Sequence, residues 1–239
     1  MVQMGFPAIA FIPLFSSEVI LVLGLLMIPV LLLYLYIIIS EEAFELAGMP
    51  ALSAILMTIG ALIGSFIDIP FYAIENVTLA VNAGGCLIPL IISVELIARR
   101  RVRPGPMILA VLFVAAVSYY FSTPTPGQGI LMPFYIAPLA GAFAGILMTG
   151  ADITAPGTAY AAGAMGTLLG ADIFHLVTPG TIGHIAAGSA SVLSIGGAGV
   201  FDGIFLTGIF AVFLAALIAR RIRGEGKGAE PGRQPDASQ

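Results

Sequence analysis

Two acids in the second half of the chain sit where acids are costly. Asp202 stands in the run SIGGAGVFDGIFLTG and Asp172 in GTLLGADIFHL, each within an otherwise apolar stretch. A carboxylate at such depth must be paired, hydrated or protonated, because its insertion into hydrocarbon costs roughly 2.5–3.5 kcal/mol. Three chemistries fit. In a carrier, one acid beside a broken, glycine-rich helix binds a solute or ion, and Gly199 and Gly203 flank Asp202 in that way. In an intramembrane aspartic protease, two acids share a proton and activate water, and Asp172 with Asp202 is the pair on offer. In a metal site, Asp172, His175 and His184 would be ligands, since Asp-x-x-His sets two of them one helical turn apart. The plainer reading of Asp202 is a hydrogen bond to a neighbouring helix end, and that of Asp-x-x-His is chance spacing.

A second group lies earlier. Glu75, Asn82, Gly85, Pro89 and Ser93 recur at steps of seven, three, four and four, which on a helix forms one stripe. Small and polar residues on one stripe face other helices. Pro89 removes the hydrogen bond to the Gly85 carbonyl and predicts a kink there. Asn82 then either ties two helices together or, with Glu75, borders a polar cavity.

The elements that must carry these groups follow from composition. Of 239 residues, 59% are hydrophobic and 9% charged, and the mean hydropathy is +1.07. A soluble domain carries about 25% charged residues, so lipid is the solvent for most of this chain. A formal charge of −4 with nine Lys and Arg excludes a nucleic-acid binder, and a single cysteine, Cys86, excludes a disulfide scaffold. Seven apolar stretches approach the roughly 20 residues a span needs: Val19–Ile39, Ala51–Ile67, Val77–Ile97, Pro106–Phe121, Ile130–Met148, Ala155–Ile173 and Gly196–Ile218. In the sixth, Ala155, Ala159, Gly163, Gly166 and Gly170 form a small-residue face for close helix packing. A bend near Gly170 is expected, since a regular helix would turn Asp172 away from the bundle.

Basic residues cluster at Arg99–Arg103 and from Arg220 onward, and the positive-inside rule makes both clusters cytoplasmic. Four spans between them keep the count even, and three before the first cluster place the N-terminus outside. Asp68, Glu75, Asn82, Asp172, His175, His184 and Asp202 then all fall in the outer half. Glu95 should pair with Arg99 one turn on. Residues 1–17 lack the charged start of a signal peptide and are expected to form an interfacial lead-in; 18–219 form the transmembrane domain, and 220–239 a disordered cytoplasmic tail.

The stretches AVNAGGCLIPLI, GTLLGADIFHL and SIGGAGVFDGIFLTGIFAVFLA, with a short second span ending IGSFIDIP, resemble the archaeal and bacterial membrane family catalogued as domain of unknown function 1614. The resemblance covers about residues 20 to 218. Asp68 departs from it, the family being expected to carry Asn there. It implies a polytopic membrane protein and no particular activity.

The sequence reading is thus an all-α transmembrane bundle of about seven spans, N-terminus out and C-terminus in, in the cell membrane. Its function is that of a small-solute or ion carrier with an outward cavity around Asp202, Asn82, Glu75, Asp172, Gly199 and Gly203. The alternatives are the Asp172/Asp202 protease and a non-catalytic accessory subunit. Against the protease, two extra residues separate Gly199 from Asp202 where such enzymes carry Gly-x-Gly-Asp, and no proline follows until Pro231. Ser189 or Ser191 with His184 lacks a third member for nucleophilic catalysis. The bilayer is the expected partner, an oligomer is compatible, and no cofactor is implied.

Overall fold

The computed structural model describes residues 17–74, 77–186, 192–197 and 203–228. The fold is mostly helical, 72% of it helix. The chain divides into two compact units, Met1–Ile38 and Ile39–Gln239. The first unit contributes the greater part of α1 (Ser17–Leu46), and every side chain from Leu21 to Leu35 is exposed. A helix apolar on all sides has no stripe to bury against a soluble core and is built for lipid.

In the second unit, α2 (Ala51–Gly64) leads into β1 (Asp68–Ile74), β2 (Val77–Asn82), a π-helical turn at Ala83–Leu87 and α3 (Ile88–Ala98). Then come α4 (Pro104–Phe121), a small hairpin of β3 (Thr123–Thr125) and β4 (Gly129–Leu131), and α5 (Ile136–Thr149). The next helix begins as α6 (Ala155–Thr167), widens into a π-helical stretch at Leu168–Ile173 and ends as α7 (Phe174–Val177). Short α8 (Thr181–Ala186), β5 (Val192–Ile195) and long α9 (Gly203–Gly228) complete it.

Helices α4, α5, α6 and α9 pack as a bundle with α6 at its centre, where twelve α6 residues are buried. Small residues allow this. A Cβ on Gly141 would lie 2.9 Å from the Gly163 Cα, and one on Gly145 would lie 2.8 Å from the Ala159 backbone nitrogen. The small-residue face read from the sixth span is therefore a packing surface. At the α1 end of this unit, the Phe44 ring meets Tyr160 and Phe205 edge-on at 5.3 and 5.8 Å.

Among the described residues, four helices are long and apolar enough to cross a membrane: Leu21–Leu46, Pro104–Phe121, Ala155–Val177 and Ile204–Ile222. Three shorter apolar helices, Ala51–Gly64, Ala83–Ala98 and Ile136–Thr149, accompany them. At 1.5 Å per residue these reach only about 21–24 Å, less than the roughly 30 Å of a hydrocarbon core.

The architecture is not purely α. The expected helical span Val77–Ile97 divides into a strand, a π-turn and a short helix, so the stripe drawn from Glu75 to Ser93 does not exist as one helical face. The β-branched Val77, Thr78 and Val81 favour extended backbone, and pairing on both sides satisfies their amides. β2 lies between antiparallel β1 and parallel β5. The second span ends as helix at Gly64, before Ile67, and the helix of the seventh starts at Gly203, after β5 and the turn at Gly196. α9 continues to Gly228, beyond the Arg220 at which a disordered tail was expected. The lead-in, in residues 1–16, and the tail from 229 lie outside the described residues. Near Gly170 the helix departs from regular α geometry as the π-helical stretch Leu168–Ile173, and the Glu95–Arg99 pair is present at 2.7 Å. Pro89 follows a widened turn in which the Ile88 amide reaches back to the Ala83 carbonyl.

Candidate functional site

Asn82 is the last residue of β2, 2% exposed, and its side chain is fully used. Its Nδ2 donates to the Ser65 carbonyl at 3.0 Å and to Asp68 Oδ1 at 3.0 Å, while its Oδ1 accepts from the Gly85 amide at 2.9 Å. The register that pairs Asp68 with Asn82 brings the two side chains together. The same Asp68 oxygen accepts from Ser194 Oγ on β5, so one carboxylate joins all three strands. Asn82 is thus a buried tie, and it caps the π-turn that follows.

Two residues beyond Ser194 the chain turns at Gly196, with φ of +76°. A Cβ there would stand 2.7 Å from the Cys86 amide nitrogen, so the backbone of the turn lies directly on the first π-turn. The Gly196 amide points the other way and donates to Asp172 Oδ2 at 2.7 Å. Asp172 is held in the second π-helical stretch, Leu168–Ile173, whose extra residue rotates the side chain off the helical path it would otherwise follow. The end of β5 is therefore clasped between two widened helical turns.

Asp172 also lines a cavity of about 760 Å³ with Ser194, Gly196, Thr207 and the β3–β4 hairpin from Gly127 to Leu131. Much of the wall is apolar, including Ile185, Ile204 and Phe210. That is the composition of a ligand site: apolar walls with a few placed polar groups. Among the described residues no Lys, Arg or His forms an ion pair with Asp172. The cavity lies at the end of the bundle away from the arginine loop, because Arg103, at the start of α4, pairs with Asp152, just before α6, at 2.7 Å, whereas Asp172 sits near the far end of that helix.

Of the other sequence-derived candidates, Glu75, Gly199 and Asp202 lie outside the described residues, as do Ser189 and Ser191. Gly203 opens α9. Asn82 does not line the cavity. His175 is buried, its Nε2 2.8 Å from Ser122 Oγ and 3.3 Å from the Tyr119 carbonyl, while His184 is exposed on α8. Among the described residues no three His, Cys, Asp or Glu side chains converge as a metal site, so Asp172, His175 and His184 are not brought together as one. Ser194 and the Gly196 turn had no place in the sequence reading; the signal available was a β-prone VLSI run closed by Gly-Gly.

No curated protein and no solved structure matches the chain. A protein-family match covers residues 61–214, which include both π-turns, the five strands among the described residues and the whole of the clasp around β5. The chain belongs to that family, described as Protein of unknown function (DUF1614).

Proposed function

We propose that this protein is a multi-pass carrier or channel-like protein that takes up a small cation, or a small solute bearing a positive group, into the cavity beside Asp172. The observation that carries the reading is an acid lining a cavity of about 760 Å³, with one oxygen on a backbone amide and no cationic partner among the described residues. Such a carboxylate within a membrane helix seeks a counter-charge, and a ligand can supply it. The irregular backbone around it is also of the kind tolerated at membrane depth only where it is buried in protein or lines a cavity. Asp202, six residues beyond Gly196, is the second acid assigned to the ligand in this reading.

The topology that goes with it has seven crossings, with the three shorter helices as partial-depth spans, the N-terminus outside and the cavity opening outward. The Arg103–Asp152 pair supports it, since both loops then share the cytoplasmic side. The test uses the full chain in liposomes loaded with a pH-sensitive dye, with Na⁺, K⁺ or methylammonium added outside. One of these should drive saturable flux, weakened by Asp172→Asn and abolished by Asp202→Asn. Flux indistinguishable between wild type and both variants would overturn the reading. Equal loss in both, together with cleavage of a membrane-embedded peptide by wild type, would favour the protease.

A further inference from the structure

The opposite end of the second unit holds a separate groove of about 650 Å³ that the carrier reading does not use. Its walls are the α1–α2 connection from Glu45 to Pro50, the turn Arg99–Arg101 after α3, and Ile153 and Thr154 before α6. Arginines at a cytoplasmic surface need no ligand, but these are arranged. Arg99 is pinned by Glu95 Oε1 at 2.7 Å and lies 3.4 Å from Ser53 Oγ. Arg101 lays its side chain across Gly48, where a Cβ would come within 2.8 Å of the Arg101 Cδ. Gly48 is thus the gap that seats an arginine. Arg100 and Arg101 have no ion-pair partner among the described residues, and Glu45 is the one carboxylate on the wall.

Two further observations point to a bound group. Thr154 Oγ1 is buried at this groove with no hydrogen-bond partner, although it stands where a helix cap would use it. Among the described residues only two non-glycine residues adopt left-handed backbone, Arg100 at φ +56° and Ala151 at φ +59°. Both belong to the loops that form this groove. The left-handed turn at Arg100 places that arginine on the groove wall beside Arg101. Two guanidinium groups without an ion-pair partner among the described residues, side by side on one wall, are the donors that oxyanions of phosphorus take up.

We propose that this groove binds a phosphate-bearing anion, either the headgroup of an anionic phospholipid or a soluble phosphate. The proposal is independent of the cavity at Asp172. It is tested on the purified full chain by native mass spectrometry, with phosphatidylglycerol, phosphatidylcholine or inorganic phosphate added. Wild type should retain one phosphatidylglycerol in preference to phosphatidylcholine, and R100Q/R101Q should bind it about thirtyfold more weakly, about fivefold for each arginine lost. R220Q/R221Q removes the same charge from positions that do not line the groove and should bind as wild type does. Retention of inorganic phosphate, with no preference between the lipids, would assign the site to the soluble ion. Equal weakening in the two double variants, or no preference for any anion, would overturn the proposal. Should R100Q/R101Q fail to fold, R100K/R101K, which keeps charge and loses the planar fork, must still bind several-fold more weakly than wild type for the proposal to stand.

Discussion

The Asp172 carboxylate accepts the Gly196 amide proton at 2.7 Å, fastening a widened turn of the α6–α7 helix to the end of β5. The Gly196 residue is buried, and this carboxylate is the partner its amide meets. Asp172→Ala should therefore destabilise the protein by about 1–3 kcal/mol, the cost of an unmet buried donor. Asp172→Asn keeps an accepting oxygen and should cost about 1 kcal/mol or less. Cys86 is the only cysteine and is buried, so unfolding can be followed by a thiol-reactive dye. Equal midpoints for the two variants would show that the bond carries no stability.

Gly196 and Gly180 both have positive φ, +76° and +86°, yet their surroundings differ. Gly180→Ala meets open space and should cost only the backbone strain, about 1–2 kcal/mol. Gly196→Ala adds a collision with the Gly85–Cys86 backbone, which cannot move as a side-chain end can. It should be markedly worse, to the point of poor folding. The same dye assay ranks the pair, and an order reversed from this would count against the clasp.

Asn82→Ala removes three hydrogen bonds at once and should cost about 2–4 kcal/mol, at roughly 1 kcal/mol each plus the burial of unmet partners. Asp68→Asn should be mild, because an amide oxygen can take both donors that now share Asp68 Oδ1. Non-additivity in the Asn82→Ala/Asp68→Ala double variant measures their coupling, with about 0.5–1.5 kcal/mol expected. Strict additivity would deny the contact.

Labelling with a non-permeant thiol reagent in intact cells tests the topology. The Arg103–Asp152 pair joins two loops at one end, and the Gly127 amide donates to the Ile185 carbonyl at the other. Gln128→Cys and His184→Cys should label, while Arg101→Cys and Ile153→Cys should label only after lysis. The buried native Cys86 keeps the background low.

The membrane class and the long helices were legible because hydropathy over a window of about 20 residues is an average, and Leu21–Leu46, Pro104–Phe121, Ala155–Val177 and Ile204–Ile222 satisfy it. The same averaging hid the sheet. Val77–Ile97 averages as apolar despite Asn82, Ser93 and Glu95, so a six-residue strand and a short helix look like one span. VTLAVN does alternate, and Glu75 and Asn76 separate it from the aromatic DIPFYAI run by the two residues of a tight hairpin. A departure from regular helix near Gly170 could be inferred from the cost of pointing Asp172 at lipid. Its partner could not, since Gly196 comes from a distant segment and a backbone amide leaves no mark in sequence. Asn82 was legible as a buried polar residue, but its use as a tie rather than a cavity wall depends on Ser65 and Asp68 lying within reach.

The parallel pairing of Thr78–Val81 with Val192–Ile195 also sets an order of assembly. As the chain emerges, β1 and β2 can zip together at once, but the free edge of β2 has no hydrogen-bonding mate until the residues after α8 have been made. Until then a row of bare amides is left open, an edge onto which any extended segment could add. Helices inserted early would be in place while the sheet still waited for its third member. A chain cut short before β5 would thus keep most of its spans and lack the strand that closes them. That is the kind of lesion a membrane protease recognises, so the yield of such truncations should collapse abruptly once β5 is lost.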